Sequence, residues 1–314
     1  MNHERISIIG SGTMGHSIAL SISLAGLDVK VWGNNQGDLE RGKNGFLEKL
    51  EVLCRYNVIT QEEAEKIKGR VVFTDVLEQC LQEATFIIEA IPETLALKQE
   101  WFQKLDHYCG PETILASNTS GLSPSDIALH THYPERTVVT HFWNPAHLIP
   151  LVEIVRGKHT SDQTVERALA LLKKINKKPI VVQKEILGAI GNRLQYALFR
   201  EAQHILEQGA ATMEDIDAAV RYSIGRRLAV TGPFLSADMG GLDVFESISS
   251  YLFPDLSASQ TSLSAMNHCV EEGRYGQKNG AGFYEWNESF SKKMNDERER
   301  ELIEWVKKDL KQLS

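Results

Sequence analysis

Two side chains in this sequence have the types and surroundings of an acid–base pair. His141 ends an apolar run, Val138-Val139-Thr140, and is followed by Phe142-Trp143-Asn144-Pro145. An unperturbed imidazole titrates at about pH 6.5, so this side chain can take or give a proton under working conditions. Glu153 lies inside the otherwise apolar Leu151-Val152-Glu153-Ile154-Val155. A buried carboxylate is costly unless it is paired. His141 is the partner we expect. A carboxylate on one ring nitrogen fixes the tautomer and steadies the imidazolium, which leaves the other nitrogen for chemistry.

A second constellation is Gly10-Ser11-Gly12-Thr13-Met14-Gly15. It follows a short β-branched run, Ile6-Ser7-Ile8-Ile9, and opens a segment of helical spacing with Met14, Ile18, Ile22 and Ala25 on one face, stopped at Gly26. A strand–glycine loop–helix unit is a dinucleotide site. Gly10 allows the tight turn, Gly12 lets backbone approach a pyrophosphate, and Gly15 lets helix pack on strand. The helix N-terminus, at Thr13 and Met14, offers N–H groups and partial positive charge to phosphate. The acid that binds the ribose 2′-hydroxyl is expected after the second strand. That strand ends Val31-Trp32-Gly33-Asn34-Asn35, with Gly33 in the acid's place. Asp38 and Glu40 read as first-turn helix residues. Without an acid at 33, a 2′-phosphate would not be repelled, and Asn34, Asn35 and Arg41 are in range of it. NAD is placed ahead of NADP, and NADP stays open.

The elements that must carry these residues alternate. Strand runs at Val29–Trp32, Val71–Thr74, Phe86–Ala90, Thr113–Ala116 and Val138–Thr140 are separated by helical stretches, including one between Asp38 and Val58. Such alternation implies a parallel sheet covered on both faces, and it puts His141 at the carboxyl edge where ligands bind. After about Lys184 the pattern becomes helical, with a long helix over Leu187–Gln208 and another opening at Met213. We expect an α/β chain: a Rossmann-type doubly wound sheet over residues 1–183, then an all-α domain over 184–314. The charged tail from Ser289 reads as a solvated terminal helix.

Bulk properties narrow the function classes. The chain has 314 residues, 42% hydrophobic, with a formal net charge of -8, which argues against a broad nucleic-acid surface. Its four cysteines form no CxxC pair, and no His/Cys cluster has metal-ligand spacing, so no metal site is expected. No apolar run approaches the roughly 20 residues of a membrane span, and the first residues lack a signal-peptide core. A cytoplasmic enzyme is expected, with no nucleic-acid or membrane partner.

With these motifs in hand, the chain resembles the short-chain 3-hydroxyacyl-CoA dehydrogenase family. The likeness runs through GSGTMG at 10, IIEAIPETLALKQ at 87, ASNTSGL at 116, HFWNP at 141, PLVEIV at 150, GNR at 191, TGPF at 231, GLDV at 241 and YGQKNGAGFYEW at 275. It implies that His141 is the catalytic base and Glu153 its orienting carboxylate. Ser120 matches the serine that bonds the substrate oxygen, and Asn192 the catalytic asparagine. Glu93, Lys98 and Asn118 match residues lining the cofactor's ribose and nicotinamide. The resemblance also implies a homodimer built on the helical domain, and a short (S)-3-hydroxyacyl-CoA as the small-molecule substrate. The chain departs from the pattern at Gly33 and at Gly121, where a second serine is common. Arg41, Lys43, Lys49, Arg55, Lys66, Lys68 and Arg70, where the family meets the CoA tail, stand among several glutamates. Two other readings stay open: a dehydrogenase of a free hydroxy acid, similar to gulonate and carnitine dehydrogenases, and a non-catalytic protein similar to a lens crystallin.

Overall fold

The computed structural model describes residues 4–311. Eight strands form one sheet: β1 (Ile6–Ile9), β2 (Val29–Trp32), β3 (Val71–Thr74), β4 (Phe86–Glu89), β5 (Ile114–Ser117), β6 (Thr137–Phe142), β7 (Leu151–Val155) and β8 (Lys178–Val182). Their order is β3-β2-β1-β4-β5-β6-β7-β8. From β3 to β6 every neighbour is parallel, as the alternation predicts. β7 departs from that expectation and runs antiparallel to β6. The segment between them, residues 143–150, is too short for the helical crossover a parallel pair needs. β8, which the sequence reading missed, pairs parallel with β7 at the sheet edge. It opens Lys178-Pro179, and proline is tolerated at the start of an edge strand although it weakens the strand signal.

The helices between the strands are α1 (Thr13–Leu24), α2 (Gln36–Arg55), α3 (Gln61–Lys68), α4 (Leu77–Leu81), α5 (Leu95–Tyr108), α6 (Pro124–Ile127) and α7 (Asp162–Lys174). Local chemistry sets their starts. Asn35 caps α2 by accepting from the Asp38 N–H, and Thr60 with Glu63 makes a reciprocal capping box on α3. The strands bury both faces. Ile8, Val31, Phe86 and Ile88 pack with Ile18 and Ile22 of α1 and Leu171 of α7, while Ile9, Ile87 and Leu115 pack with Phe102 and Leu105 of α5. Successive residues of β1 and of β4 thus point to opposite clusters, as strand alternation requires.

The rest of the chain is α8 (Gly191–Glu207), α9 (Met213–Ala219), α10 (Gly225–Gly240), α11 (Leu242–Leu252), α12 (Ser264–Glu271) and α13 (Glu288–Lys311). Contacts divide the molecule into two compact units. One holds residues up to Asn192 and those from Glu297 onward, and the other runs from Arg193 to Asp296. The first unit therefore takes in residues 184–192 and the end of the chain, which the sequence reading put with the helical domain. For the end of the chain the reason is a short apolar stripe. Leu302, Ile303 and Val306 of α13 join Leu20, Phe46, Leu50 and Leu148 in one cluster, with Ile303 fully buried. The terminal helix is thus docked, not merely solvated; residues 312–314 of the expected tail lie outside the described residues. Among the described residues no helix is long and apolar enough to cross a membrane.

Candidate active site

The glycine loop leaves β1 where the strand order reverses, between β1 and β4. Gly10 has φ +112°, and a Cβ there would lie 2.6 Å from the Ala90 carbonyl oxygen. A Cβ on Gly15 would lie 1.8 Å from the Gly10 oxygen, so α1 reaches the strand only with glycine at that position. Gly12 is different: nothing lies within 4 Å of where its Cβ would be. It is the N-cap of α1 without a side-chain cap, and the first turn, with Thr13 and Met14, holds no acid. Open space in front of an uncapped helix N-terminus at a topological switch point fits a dinucleotide pyrophosphate.

The Gly33 position has a packing explanation. The residue is buried, and a Cβ would sit 2.8 Å from Leu39 Cδ2 and 2.9 Å from Ser11 Oγ. The space an acid would need is filled. Of Asn34, Asn35 and Arg41, only Asn34 is exposed without a described side-chain partner. Asn35 caps α2, and Arg41 is ion-paired to Asp38. A 2′-phosphate approaching Arg41 would also meet that carboxylate, which favours the unphosphorylated cofactor.

The expected acid–base pair is formed. In the antiparallel register His141 of β6 stands opposite Glu153 of β7, and His141 Nδ1 donates to Glu153 Oε2 at 2.8 Å. Trp143 Nε1 donates to the same oxygen at 3.2 Å, and the Ile190 and Gly191 amides donate to Oε1 at 2.8 and 3.0 Å. Burial alone would raise the Glu153 carboxyl. The bonds from His141 and from the Gly191 and Ile190 amides outweigh it and hold the carboxyl at about 2. Gly191 must be glycine here, since a Cβ would meet the Trp143 ring at 2.2 Å. His141 is 5% exposed and lines a cavity of about 310 Å³ together with Ser120, Leu122, Ile186 and Leu187. Its Nε2 has no partner among the described residues.

The other expected residues gather around the same edge. Asn118 Oδ1 accepts from the Phe142 amide at 2.9 Å and ties the end of β5 to that of β6 beside His141. Ser120 is exposed at the cavity, its carbonyl accepting from Asn192 Nδ2 at 3.0 Å. Glu93 accepts from the Thr119 hydroxyl and from the Ser120 amide. Burial would raise the Glu93 carboxyl, but these bonds and Lys98 lower it. Lys98 is 1% exposed, with its ammonium on Glu89 Oε1 at 2.6 Å and Glu93 Oε2 at 3.3 Å. A buried ammonium so engaged supports Glu93; it does not line an open surface.

Sequence reasoning missed Glu89, Trp143 and the two amides on Glu153. Glu89 carried a signal like that of Glu153, an acid in an apolar strand run, Phe86-Ile87-Ile88-Glu89-Ala90. The backbone amides leave no mark in residue types.

Comparisons with known proteins supply the family. Residues 5–186 match the NAD-binding domain of 3-hydroxyacyl-CoA dehydrogenase, and residues 188–286 match the C-terminal domain of the same enzyme. The chain belongs to the 3-hydroxyacyl-CoA dehydrogenase family. As a member of this family it is an NAD-dependent oxidoreductase. It is 34% identical over 300 residues to 5-formyl-3-hydroxy-2-methylpyridine 4-carboxylate 5-dehydrogenase of Mesorhizobium japonicum, covering 96% of each chain. A crystal structure of an enzyme of that name, described as an NAD+-dependent dismutase, superposes with TM-score 0.91 over 98% of this chain and 99% of the other, at 33% identity. An L-carnitine dehydrogenase of Oceanobacillus iheyensis is 34% identical over 76% of each chain. The crystal structure of (S)-3-hydroxybutyryl-CoA dehydrogenase from Ralstonia eutropha aligns with TM-score 0.76 at 29% identity, over 91% of this chain and 100% of the other. Family members thus differ in whether a thioester is part of the substrate.

Proposed function

We propose that the protein is an NAD-dependent dehydrogenase that interconverts an alcohol and a carbonyl on a small free substrate, with His141 as the proton acceptor. The observation that carries the chemistry is the His141–Glu153 pair, with four donors on one fully buried carboxylate. It also argues against a merely structural, crystallin-like role.

When bound, the nicotinamide supplies the acceptor for the hydride. The chain's own residues do the rest. Gly12 and the first turn of α1 receive the pyrophosphate. His141 lines the cavity, and Nε2, the ring nitrogen not held by Glu153, takes the hydroxyl proton as the carbon is oxidised. Glu153 stays ionised and stabilises the imidazolium that results. The Ser120 hydroxyl and Asn192, joined through the Ser120 carbonyl, hold the substrate oxygen at His141.

The free substrate is favoured by the state of the basic residues at which a CoA tail was expected. Arg41, Arg55, Lys66 and Lys68 are each ion-paired with a nearby acid, Asp38, Glu51, Glu62 and Glu65 in turn. Lys49 bonds His16 and Arg70 the Lys66 carbonyl, so the pairing thins the basic patch that a phosphate-rich tail would meet but leaves Lys43, Lys49 and Arg70 without a described acid partner. Full-length similarity to the pyridine-carboxylate enzyme supports the same reading. The thioester is the second reading, favoured by the match to the 3-hydroxybutyryl-CoA enzyme. A dehydrogenase assay with NAD decides. The alcohols are carnitine, gulonate and 3-hydroxybutyryl-CoA, and 5-formyl-3-hydroxy-2-methylpyridine 4-carboxylate, already at the carbonyl level, is offered with NADH in the reverse direction. We expect the highest kcat/KM on a free substrate; a higher value on the CoA ester would overturn that choice.

We further propose that the protein acts as a cytoplasmic homodimer joined through its helical unit. Support comes from α9, α10 and α11, on which no side chain is buried. Phe234 is 88% exposed there, and Val230 and Met239 nearly as much. Large apolar side chains left this bare on α10 and α11 call for a covering partner.

A further inference from the structure

Glu89 ends β4 beside the crevice, next to Ala90, whose carbonyl closes against Gly10. Its carboxylate is fully buried and every group on it donates. Lys98 Nζ and the Ile91 amide reach Oε1 at 2.6 and 2.8 Å, and the Ser117 hydroxyl reaches Oε2 at 2.6 Å. The Ser117 oxygen in turn accepts from the Thr119 amide. Burial pushes the Glu89 carboxyl up, while the Lys98 ammonium and the bonds from Ser117 and Ile91 favour its charged form. We take the pair as ionised because the ammonium lies directly on Oε1, and a neutral Glu89 would strip a buried cation of its nearest counter-charge. Lys98 also touches Glu93, which holds the Thr119–Ser120 corner. Two carboxylates thus share one ammonium, and the cluster carries one net negative charge.

Stability does not account for this arrangement. A buried ion pair is often no better than well-packed apolar side chains of the same volume. The charge calls for a use at the site it borders. Oxidised nicotinamide is cationic and the reduced ring is neutral. We propose that Glu89 is a positioning residue which, through Lys98 and Glu93, keeps one net negative charge beside the cofactor crevice and so favours the oxidised over the reduced cofactor. The inference rests on NAD binding in this crevice and is independent of which substrate is used.

The test is equilibrium binding of NAD+ and NADH to the folded protein, followed by fluorescence, with no turnover. Glu89→Gln makes the cluster neutral. Its Kd for NAD+ should rise about tenfold, the order expected for one unit charge in a partly buried site, while the Kd for NADH changes much less. Glu93→Gln removes the same charge from the half-exposed side of the cluster and leaves the Lys98–Glu89 contact in place, and it should shift the NADH/NAD+ affinity ratio in the same direction. It decides the matter if Glu89→Gln fails to fold. The double variant Glu89→Gln/Lys98→Met restores one net negative charge and should return the ratio to that of the unmodified protein. A purely structural role weakens both cofactor forms alike. Equal losses for NAD+ and NADH, or a ratio that does not follow net charge, would overturn the proposal.

Discussion

Glu153 is the residue on which the proposed chemistry turns, and its carboxyl also ties stability to pH. Folding lowers it to about 2 against an ordinary value of 4.5. A carboxylate lowered in the folded state adds stability above its unfolded pKa, and that stability is lost as pH falls through the folded value. The loss is therefore expected between about pH 4.5 and pH 2. Urea unfolding across that range should show a shallower acid limb for Glu153→Gln than for the unmodified protein. An unchanged limb would mean that the carboxylate is not held by its donors. This pair was legible in the sequence because an acid in an apolar strand needs a partner and an imidazole stood nearby. Trp143 and the Ile190 and Gly191 amides were not legible. Trp143 comes into place on the connection from β6 to β7 and the two amides through the return of the chain after β8, and nothing in their residue types announces a hydrogen bond to Glu153.

At the scale of the element, strand direction does what residue spacing alone does not. Turning β7 antiparallel puts Glu153 directly across from His141, and a slip of one residue would point the carboxylate to the other face of the sheet. The positions of β1 to β7 were readable from β-branched runs between turn residues. The reversal of β7 was not, because both directions give the same apolar pattern. β8 was hidden by its opening lysine and proline, and the docking stripe of α13 by the charge around it. The glycine loop separates two effects that the motif merges. Gly12→Ala adds a methyl group to open space, so the melting temperature should stay unchanged while NAD affinity falls at least about tenfold. Gly15→Ala forces α1 off the Gly10 carbonyl, so it should lower the melting temperature as well. Calorimetry and NAD titration on the two variants check this; NAD binding unaffected by Gly12→Ala would contradict the pyrophosphate assignment.

For the whole molecule, a well-buried sheet unit contrasts with a helical unit whose central helices bury no side chain. Light scattering during gel filtration should give twice the 35.2 kDa chain mass, and dilution should lower the melting temperature, because folding and association are then linked. A monomer with a concentration-independent transition would contradict the homodimer. The family's chemistry was visible in the sequence through motifs spread over most of the chain. The substrate was not, because the same motifs run through relatives named for a thioester and for free substrates, and the pairing of surface cations that bears on the choice is set by the fold. The central claim is that His141 is the proton acceptor of an NAD-dependent dehydrogenase. Its most direct test is a single-turnover measurement of NADH formation by His141→Gln, on whichever substrate the unmodified protein turns over. The expected result is a rate lower by about a thousandfold with the Kd for NAD+ unchanged; a rate near that of the unmodified protein would contradict it.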